Sequence, residues 1–332
     1  MSGVRKRFVK AVAVLLAGIF LSFCACADDT PDYSFKTYDC FSVNFLDVGE
    51  GDAIFINFND GKTMLIDCGA AGSANLKTAK RYIDAYSDGK LDYFLLTHTD
   101  YDHVGNAAAL IEEYVIDTAF IPDLNEPYNF PYYYAAYEKL CEKNVTQRVS
   151  AVFQSVFGDN YTLMFLSPNA KGTTDSAYDA INAADDPPAS ARNDVSPIIY
   201  LEYKGVRFLF MGDAGFSQEA VSLANVRNGL IDRVLSSKGK SAVNLANIDF
   251  LKVSHHGAFD ACGAEFLSVI TPKNAVISVG GDNYYGHPSS ETLSRIYDAN
   301  ENCKVYSTSI YGTVSVLVGE NGEVSVVTDK RF

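Results

Sequence analysis

The stretch Thr97-His98-Thr99-Asp100-Tyr101-Asp102-His103 decides how this chain is interpreted. It follows a mainly apolar segment at 91–96, predicted to be a buried strand, and leads into a predicted helix at 104–114. His98 and Asp100 alternate along the extended part, so both point the same way, whereas Asp102 and His103 enter the helix. Imidazole suits Zn, Fe or Ni, and carboxylates suit Mn or Mg. The stretch therefore predicts a metal centre in which a single turn of the chain supplies ligands to two adjacent ions.

The other histidines support the same interpretation. The chain has only five, all directly after predicted strands or in loops rich in Gly, Asp or Pro: His98, His103, His255, His256 and His287. Functional side chains usually lie on such loops at strand ends. We therefore treat all five as candidate site residues.

Predicted strands and helices alternate over most of the chain. Of its 332 residues, 48% are hydrophobic and 20% charged, which is enough apolar material for a buried core. Strand-rich halves with interleaved helices predict an α/β fold, an αββα sandwich of two mixed β-sheets flanked by helices. Segment 168–196, rich in Pro, Gly, Thr and Asp, predicts a loop or a disordered insertion. No change of composition follows residue 40, so 41–332 is predicted to be one domain.

The N-terminus is predicted to be a targeting segment. Four basic residues precede the uncharged apolar run Ala11–Phe23, which is too short to span a membrane comfortably. Residues 1–25 are therefore predicted to be a lipoprotein-like signal peptide, and 26–40 a polar tether. We favour lipidation at Cys26; lipidation at Cys24, plain secretion and an uncleaved anchor stay open. The chain is thus expected to be exported and either lipid-anchored at the outer face of the membrane, its only membrane contact, or secreted.

Charge and cysteine content exclude some classes of protein. The formal net charge is −14, and removing residues 1–25 takes away four positive charges and no negative ones, which leaves −18. A generally basic protein that coats nucleic acid is therefore excluded. Beyond the signal, five of the seven cysteines remain, and no CxxC pair occurs. The odd number supports neither a full disulfide framework nor a zinc ribbon, although one or two bridges stay open.

Six motifs in order carry a resemblance to a known family. Besides the stretch at 97–103, they are FLDVGEGDA at 45–53, LIDCG at 65–69, FLFMGD at 208–213, LKVSHHG at 251–257 and NYYGHP at 283–288. The set resembles the metallo-β-lactamase superfamily, and in particular the hydrolase domain of the ComEC/Rec2-type competence proteins and its stand-alone relatives. It spans about 41–327, and it implies the metallo-β-lactamase fold.

The resemblance also implies a role for each site residue. His98 and Asp100 would hold one divalent ion, Zn or Mn, and Asp102 and His103 a second. Asp213 would bridge both ions. One of His255 and His256 would complete the second site; we favour His256, with His255 nearby for substrate or proton transfer. The remaining expected roles are a substrate-facing acid at His287 and supporting or turn positions at Asp47, Asp52 and Asp67.

One departure from the family pattern concerns the first ion. Metallo-β-lactamases that open β-lactams have a histidine where Asp100 stands and another further along, but this chain has none between 104 and 254. The segment Arg192-Asn193-Asp194-Val195-Ser196, which resembles the family's NxxS motif, stands in that region, so Asn193, Asp194 or Ser196 takes the place of the missing ligand. The first site is therefore expected to be weak or partly filled by water.

The implied activity is that of a metal-dependent hydrolase, a phosphodiesterase or nuclease acting through a metal-bridged hydroxide. Asp102 would orient the nucleophile, and His255 or His287 would protonate the leaving group. The expected substrate contains a phosphodiester, either DNA or a cell-envelope polymer, and the net charge of −18 speaks against DNA. Two alternatives stay open: a non-catalytic surface binding protein on a degenerate hydrolase scaffold, and an ester or lactone hydrolase.

Overall fold

The computed structural model describes residues 37–330. The predicted signal peptide at 1–25, both candidate lipidation cysteines and most of the tether lie outside the described residues. Within 37–330, no helix is long and apolar enough to cross a membrane. All five cysteines in this range are free thiols, so neither of the bridges left open by the sequence forms among them.

The described residues form fifteen strands. In chain order they are β1 (Phe41–Phe45), β2 (Ile54–Asn57), β3 (Thr63–Ile66), β4 (Lys90–Leu95), β5 (Val115–Ile121), β6 (Thr146–Val149), β7 (Ser155–Phe157), β8 (Tyr161–Phe165), β9 (Ile199–Tyr203), β10 (Val206–Phe210), β11 (Phe250–Lys252), β12 (Asn274–Ile277), β13 (Lys304–Ser307), β14 (Val314–Val318) and β15 (Val324–Thr328).

Eleven α-helices are interleaved with these strands in the same part of the chain. They are α1 (Ser73–Tyr86), α2 (Tyr101–Val104), α3 (Ala107–Glu113), α4 (Pro131–Glu142), α5 (Ala177–Ile181), α6 (Ala189–Asn193), α7 (Phe216–Arg227), α8 (Leu230–Ser237), α9 (Ala264–Ile270), α10 (Ser290–Ala299) and α11 (Thr308–Tyr311).

Two mixed sheets organise the strands. The first has the order β15-β14-β1-β2-β3-β4-β5-β6, and the second the order β13-β12-β11-β10-β9-β8-β7. In the first, the pairs from β15 to β3 are antiparallel and those from β3 to β6 are parallel. In the second, β10 to β13 are parallel and the remainder antiparallel. The parallel parts matter for function, because the carboxyl ends of parallel strands meet at one edge of a sheet.

Aromatic side chains fill the space between the sheets. Phe41 of β1 stacks on Tyr203 of β9 with ring centroids 4.0 Å apart. Phe58, directly after β2, stacks on Tyr161 of β8 at 4.3 Å. These rings belong to one buried cluster that draws its members from both sheets. Burial of such rings is a large favourable term in folding, and it fixes one face of each sheet against the other.

Helices cover the outer faces. Leu223 of α7, Leu235 of α8, Leu267 of α9 and Ile296 of α10 pack in a second buried cluster with the outward side chains of β10–β12. Over the first sheet, Tyr82 of α1 lies with its ring 5.8 Å from that of Phe55 in β2. The predicted αββα sandwich of two mixed sheets is therefore confirmed.

The inserted segment 168–196 differs from its prediction as a loop or disordered region. It contains the short helices α5 and α6 and packs around Tyr178, which is fully buried and donates a hydrogen bond from its hydroxyl to the Ser150 carbonyl at 2.7 Å. Ala177, Ile181 and Val195 join Tyr178 in a small buried cluster. The many Pro and Gly residues hid these few apolar anchors, which are too widely spaced to show a helical period.

Candidate metal centre

Side chains from several strand ends converge at one edge of the fold. The stretch 96–103 follows β4, Asp213 follows β10, and His255 and His256 follow β11. Because β4 and β11 lie in the parallel parts of their sheets, these loops leave at the carboxyl ends of strands. Residues far apart in the chain thus form one buried polar cluster.

His103 is held by a carboxylate behind it. Its Nδ1 lies 2.8 Å from Oδ2 of Asp67, and both residues are fully buried. Asp67 also accepts hydrogen bonds from the Thr97 amide at 2.8 Å and the Thr97 hydroxyl at 2.6 Å, which fix the carboxylate. With Nδ1 engaged, Nε2 of His103 is the nitrogen that faces the cluster, and a carboxylate behind the ring is the usual support of a metal-binding histidine.

His256 is oriented in the same way by a backbone oxygen. Its Nδ1 lies 2.8 Å from the carbonyl oxygen of Ser278, just beyond β12. His255 and His256 both have left-handed backbone, with φ of 45° and 52°. This turn, which non-glycine residues rarely adopt, places the ring of His256 inside the cluster and that of His255 at its mouth.

The atoms that face the cluster are spaced as metal ligands. Nε2 of His103 lies 3.3 Å from both Nε2 of His256 and Oδ1 of Asp213. Nε2 of His256 lies 3.3 Å from Oδ2 of Asp102 and 3.6 Å from Oδ2 of Asp213. Donor atoms bound at about 2.0–2.1 Å to a tetrahedral ion are about 3.3 Å apart. Oδ1 of Asp213 is buried without a hydrogen-bond partner by geometric criteria, so these four side chains fit a divalent ion.

His98 offers another donor to the cluster. Its Nδ1 lies 3.0 Å from the Thr97 hydroxyl and 3.2 Å from the Ser196 hydroxyl. Its Nε2 is buried without a hydrogen-bond partner, 3.8 Å from Oδ2 of Asp213. His98, His103 and Asp213 form a second group whose ligand atoms lie within 4.8 Å of one another. Since an unpartnered buried nitrogen is costly, His98 also fits a metal ligand.

Asp100 is the predicted ligand that the structure leaves outside both groups. Its Oδ1 accepts a hydrogen bond from Nε of Arg192 at 2.8 Å, and the two side chains are about a quarter exposed, at 26% and 27%. The alternation of His98 and Asp100 along an extended segment indicated a shared direction, but a long-range ion pair with α6 decides where this carboxylate binds. The ligand set predicted for the first ion is thus not assembled here.

Two histidines lie at the mouth of the centre. Nε2 of His255 is 3.9 Å from Oδ2 of Asp213, and its Nδ1 is 3.4 Å from Oδ1 of Asp260. Nδ1 of His287 is 3.3 Å from Oε1 of Glu50. The ring centroids of His255 and His287 are 5.5 Å apart. Each ring therefore lies beside a carboxylate on the accessible side of the cluster, and the His287 ring is hydrogen-bonded to its carboxylate.

The expected supporting residues lie around this cluster rather than in it. Asp52 is buried, and its Oδ1 is 3.7 Å from Nδ1 of His256. Nδ2 of Asn193 is 3.4 Å from Nε2 of His255. Asp47 accepts a hydrogen bond from the Gly49 amide at 3.4 Å and belongs to neither of the two groups.

Lys252 is a buried lysine beside the centre. Its side chain has no exposed area, and Nζ lies 2.7 Å from Oδ2 of Asp52. Nζ also donates a hydrogen bond to the Val253 carbonyl at 2.8 Å. The position of Lys252 inside the apolar strand β11 indicates a buried side chain, and a lysine is buried only if it is paired.

Without a cation, protons balance the carboxylates of the centre. Burial alone would lower the pKa of His256, but Asp213, Asp102 and Asp52 outweigh burial and raise it to about 9. The same balance raises the pKa of His103 well above its usual value. Burial would raise the pKa of Asp213, yet His103 and His256 hold it well below the usual range. Protons and a divalent ion therefore compete for the same nitrogens.

Comparison with known proteins agrees with this geometry. A family model described as the metallo-β-lactamase superfamily matches residues 46–140. ComE operon protein 3 of Bacillus subtilis is 26% identical over 302 residues, which cover 83% of this chain and 33% of that protein. Recombination protein 2 of Haemophilus influenzae is 24% identical over 280 residues, covering 83% of this chain and 29% of that protein. The chain spans about a third of the length of the curated relatives it matches.

Among solved structures, the metallo-β-lactamase fold protein YhfI from Bacillus subtilis is similar with a TM-score of 0.45 and 12% identity, covering 86% of this chain and 99% of that one. The two packed mixed sheets, the histidine and aspartate cluster at their strand ends and the matched family model agree. Over residues 46–140 the chain thus matches the metallo-β-lactamase superfamily, and over 83% of its length it resembles the ComEC/Rec2-type proteins.

Proposed function

We propose that the chain is a metal-dependent phosphodiesterase. The observation that carries this proposal is the convergence of Asp102, His103, Asp213 and His256 at ligand spacing, with His255 beside them on the accessible side. The motif set that resembles the ComEC/Rec2-type hydrolase domain favours a phosphodiester over other esters. A divalent ion such as Zn or Mn held by this cluster would supply positive charge for the substrate oxygens and lower the pKa of water to about 7.

The chain's own residues would supply orientation and proton transfer. Asp102, whose side chain is 31% exposed, is the ligand candidate nearest to solvent, and its carboxylate is placed to orient an attacking water. His255 and His287 lie at the mouth, where a leaving oxygen would emerge. Asp260 lies 3.4 Å from Nδ1 of His255, and Glu50 holds the His287 ring by a hydrogen bond. Either imidazole would serve as the general acid.

The substrate we propose is a phosphodiester of the cell envelope or a small molecule, with DNA as the other candidate. The net charge is −18 after removal of the predicted signal, so the protein as a whole does not neutralise the phosphate backbone of DNA. Tyr101 and Tyr132, each a little under half exposed, pair with ring centroids 4.6 Å apart beside the Asp100–Asp102 turn. Such a pair offers a flat face for a sugar or a base next to the centre.

Hydrolysis of bis-p-nitrophenyl phosphate tests the proposal. The chain is stripped with a chelator, and Mn²⁺ or Zn²⁺ is added back to the wild type and to Asp102→Asn. We expect metal-dependent turnover that the substitution lowers at least about 100-fold. Asp117→Asn is the control, because Asp117 is half exposed and paired with Lys90 at the surface. Turnover of an aryl ester but not of the phosphodiester would favour an ester or lactone hydrolase.

A non-catalytic binding protein on the same scaffold is the second candidate. The observation that favours it is the bond between Asp100 and Arg192, which removes a carboxylate that the family resemblance assigns to metal. This candidate predicts metal binding without turnover of any ester, in wild type and Asp102→Asn alike.

We also propose that the chain is exported and lipid-anchored through Cys26. The support is the basic segment, the apolar run and the cysteine pair at residues 1–26. Expression in a bacterium with fractionation tests it: wild type should sediment with membranes, and Cys26→Ala should be released to the soluble fraction. Release by Cys24→Ala instead would move the anchor to that residue.

A further inference from the structure

Two of the groups of candidate ligands meet at the same face of His103. His98, His103 and Asp213 form one of them, and Asp102, His103 and His256 another. Nε2 of His103 is the nitrogen within 3.3 Å of Asp213 and of His256. The other ring nitrogen of His103 lies 2.8 Å from Asp67 and is unavailable. An imidazole nitrogen has one lone pair, so His103 can serve one ion only.

The ligands left for a second ion are too few. If His103 joins Asp102, His256 and Asp213 at one ion, a second ion keeps only His98 and, as a shared carboxylate, Asp213. Zinc centres with catalytic roles hold the ion through about three protein ligands. Asp100, the residue that the family resemblance would add, has its Oδ1 bonded to Arg192.

Arg192 is fixed in this place by its own segment. Its Nη1 donates a hydrogen bond to the Pro187 carbonyl at 3.0 Å. On the same segment, Asn193 approaches His255 and Ser196 approaches His98. The inserted segment therefore makes three contacts in and beside the centre, through Arg192, Asn193 and Ser196. The first is a permanent positive charge, because a guanidinium stays protonated at any physiological pH.

We propose that the chain holds one divalent ion, at Asp102, His103, His256 and Asp213, and that the Arg192 guanidinium on Asp100 supplies the second positive charge in place of a second ion. The proposal rests on the metal centre of the proposed function but not on its substrate. The guanidinium neutralises Asp100, so this carboxylate offers little net negative charge to a further cation.

Measurement of the metal content tests how many divalent ions each chain holds, without any assay of activity. Stripped protein is dialysed against Mn²⁺ or Zn²⁺, and bound metal per chain is measured by plasma mass spectrometry and by calorimetric titration. We expect one ion in wild type, one in Arg192→Lys and one in Asp100→Asn. In Arg192→Met, which frees Asp100, we expect a second, weaker ion. Lys90→Met, which removes a cation from a surface pair with Asp92 and Asp117, is the matched control and should keep one ion.

Other outcomes separate this inference from the proposed function. Two tightly bound ions in wild type, with one lost in Asp100→Asn, would overturn the inference and leave the phosphodiesterase proposal standing. Wild type that binds no ion would overturn the metal centre and both proposals. If Arg192→Met does not fold, as judged by circular dichroism, Asp100→Asn decides: an unchanged count and affinity support the inference, and a lower count refutes it.

Discussion

Replacing Lys252 by methionine removes the cation from an ion pair in which neither side chain is exposed. Lys252 has no exposed area and Asp52 only 1%, and Nζ lies 2.7 Å from Oδ2. The other carboxylate oxygen, Oδ1, is already buried without a hydrogen-bond partner. The substitution therefore removes the close cation from a buried carboxylate and leaves only His256, 3.7 Å from Oδ1. Breaking such a buried pair costs about 3–5 kcal/mol in the free energy of unfolding.

A second lysine provides a matched control. Nζ of Lys273 also lies 2.7 Å from an aspartate, Asp249, but the lysine side chain is 53% exposed. Lys273→Met should therefore cost no more than about 1 kcal/mol. The lysine–aspartate distance is the same in both pairs. Asp249 also lies 3.7 Å from Nε of Arg207, so the difference between the two substitutions measures burial together with this second cation.

Urea unfolding measures the loss in free energy of unfolding for both variants. The protein is metal-free in this experiment, so that a loss of bound metal contributes to neither value. The double variant Asp52→Asn/Lys252→Met should regain part of the stability, with a coupling of about 1–3 kcal/mol, because it leaves no unpaired charge. Equal losses for Lys252→Met and Lys273→Met, or a coupling near zero, would show that the reasoning from burial is wrong.

Three further predictions concern the centre and the loop behind it. Carboxylates raise the pKa of His256 to about 9, so metal affinity measured by calorimetry should rise with pH up to about 9. For the same reason the stability of the metal-free protein should fall as pH rises from about 6.5 through 9. A metal affinity that is constant over this range would contradict the argument. Burial raises the pKa of Glu219 to about 7, so its contribution to stability is full below about 4.3 and is lost as pH rises through 7. Glu219→Gln should remove that part of the pH dependence, seen as a difference between the unfolding curves of variant and wild type. Arg295 donates hydrogen bonds to three carbonyls in the loop after His256, those of Phe259, Ala261 and Cys262. Arg295→Met should therefore lower the free energy of urea unfolding by about 1–3 kcal/mol and lower metal affinity. If neither quantity changes, the arginine does not stabilise this loop.

Local spacing predicted much of the fold and of the centre. The alternation of strands and helices predicted the sandwich, since that pattern depends on neighbouring residues. Spacing in the stretch at 97–103 predicted a meeting of His98, Asp102 and His103, and the family resemblance implied that Asp213 and His256 join them; the structure brings these five together. Each follows a strand directly, and the carboxyl ends of strands are where such side chains gather.

Long-range pairing was beyond the reach of the same reasoning. Asp100 and Arg192 are 92 positions apart, and only the packing of the inserted segment brings them into contact. The burial of Lys252 depends on Asp52, which lies in a loop of the other half of the chain. Which partner a charged side chain meets is decided by tertiary structure, whereas its place at a strand end is decided locally.

The pairing of β1 with β14 has a consequence for how the chain folds. β1 lies between β2 and β14, and its residues Phe41–Phe45 meet Val318–Val314 in antiparallel register. During synthesis, one edge of β1 therefore stays open until a strand made more than 260 residues later becomes available. Such non-local closure is slow and exposes strand edges. We expect the half-made chain to depend on chaperones that cover this edge, and removal of β14 and β15 to turn β1 into an aggregation-prone border of the sheet.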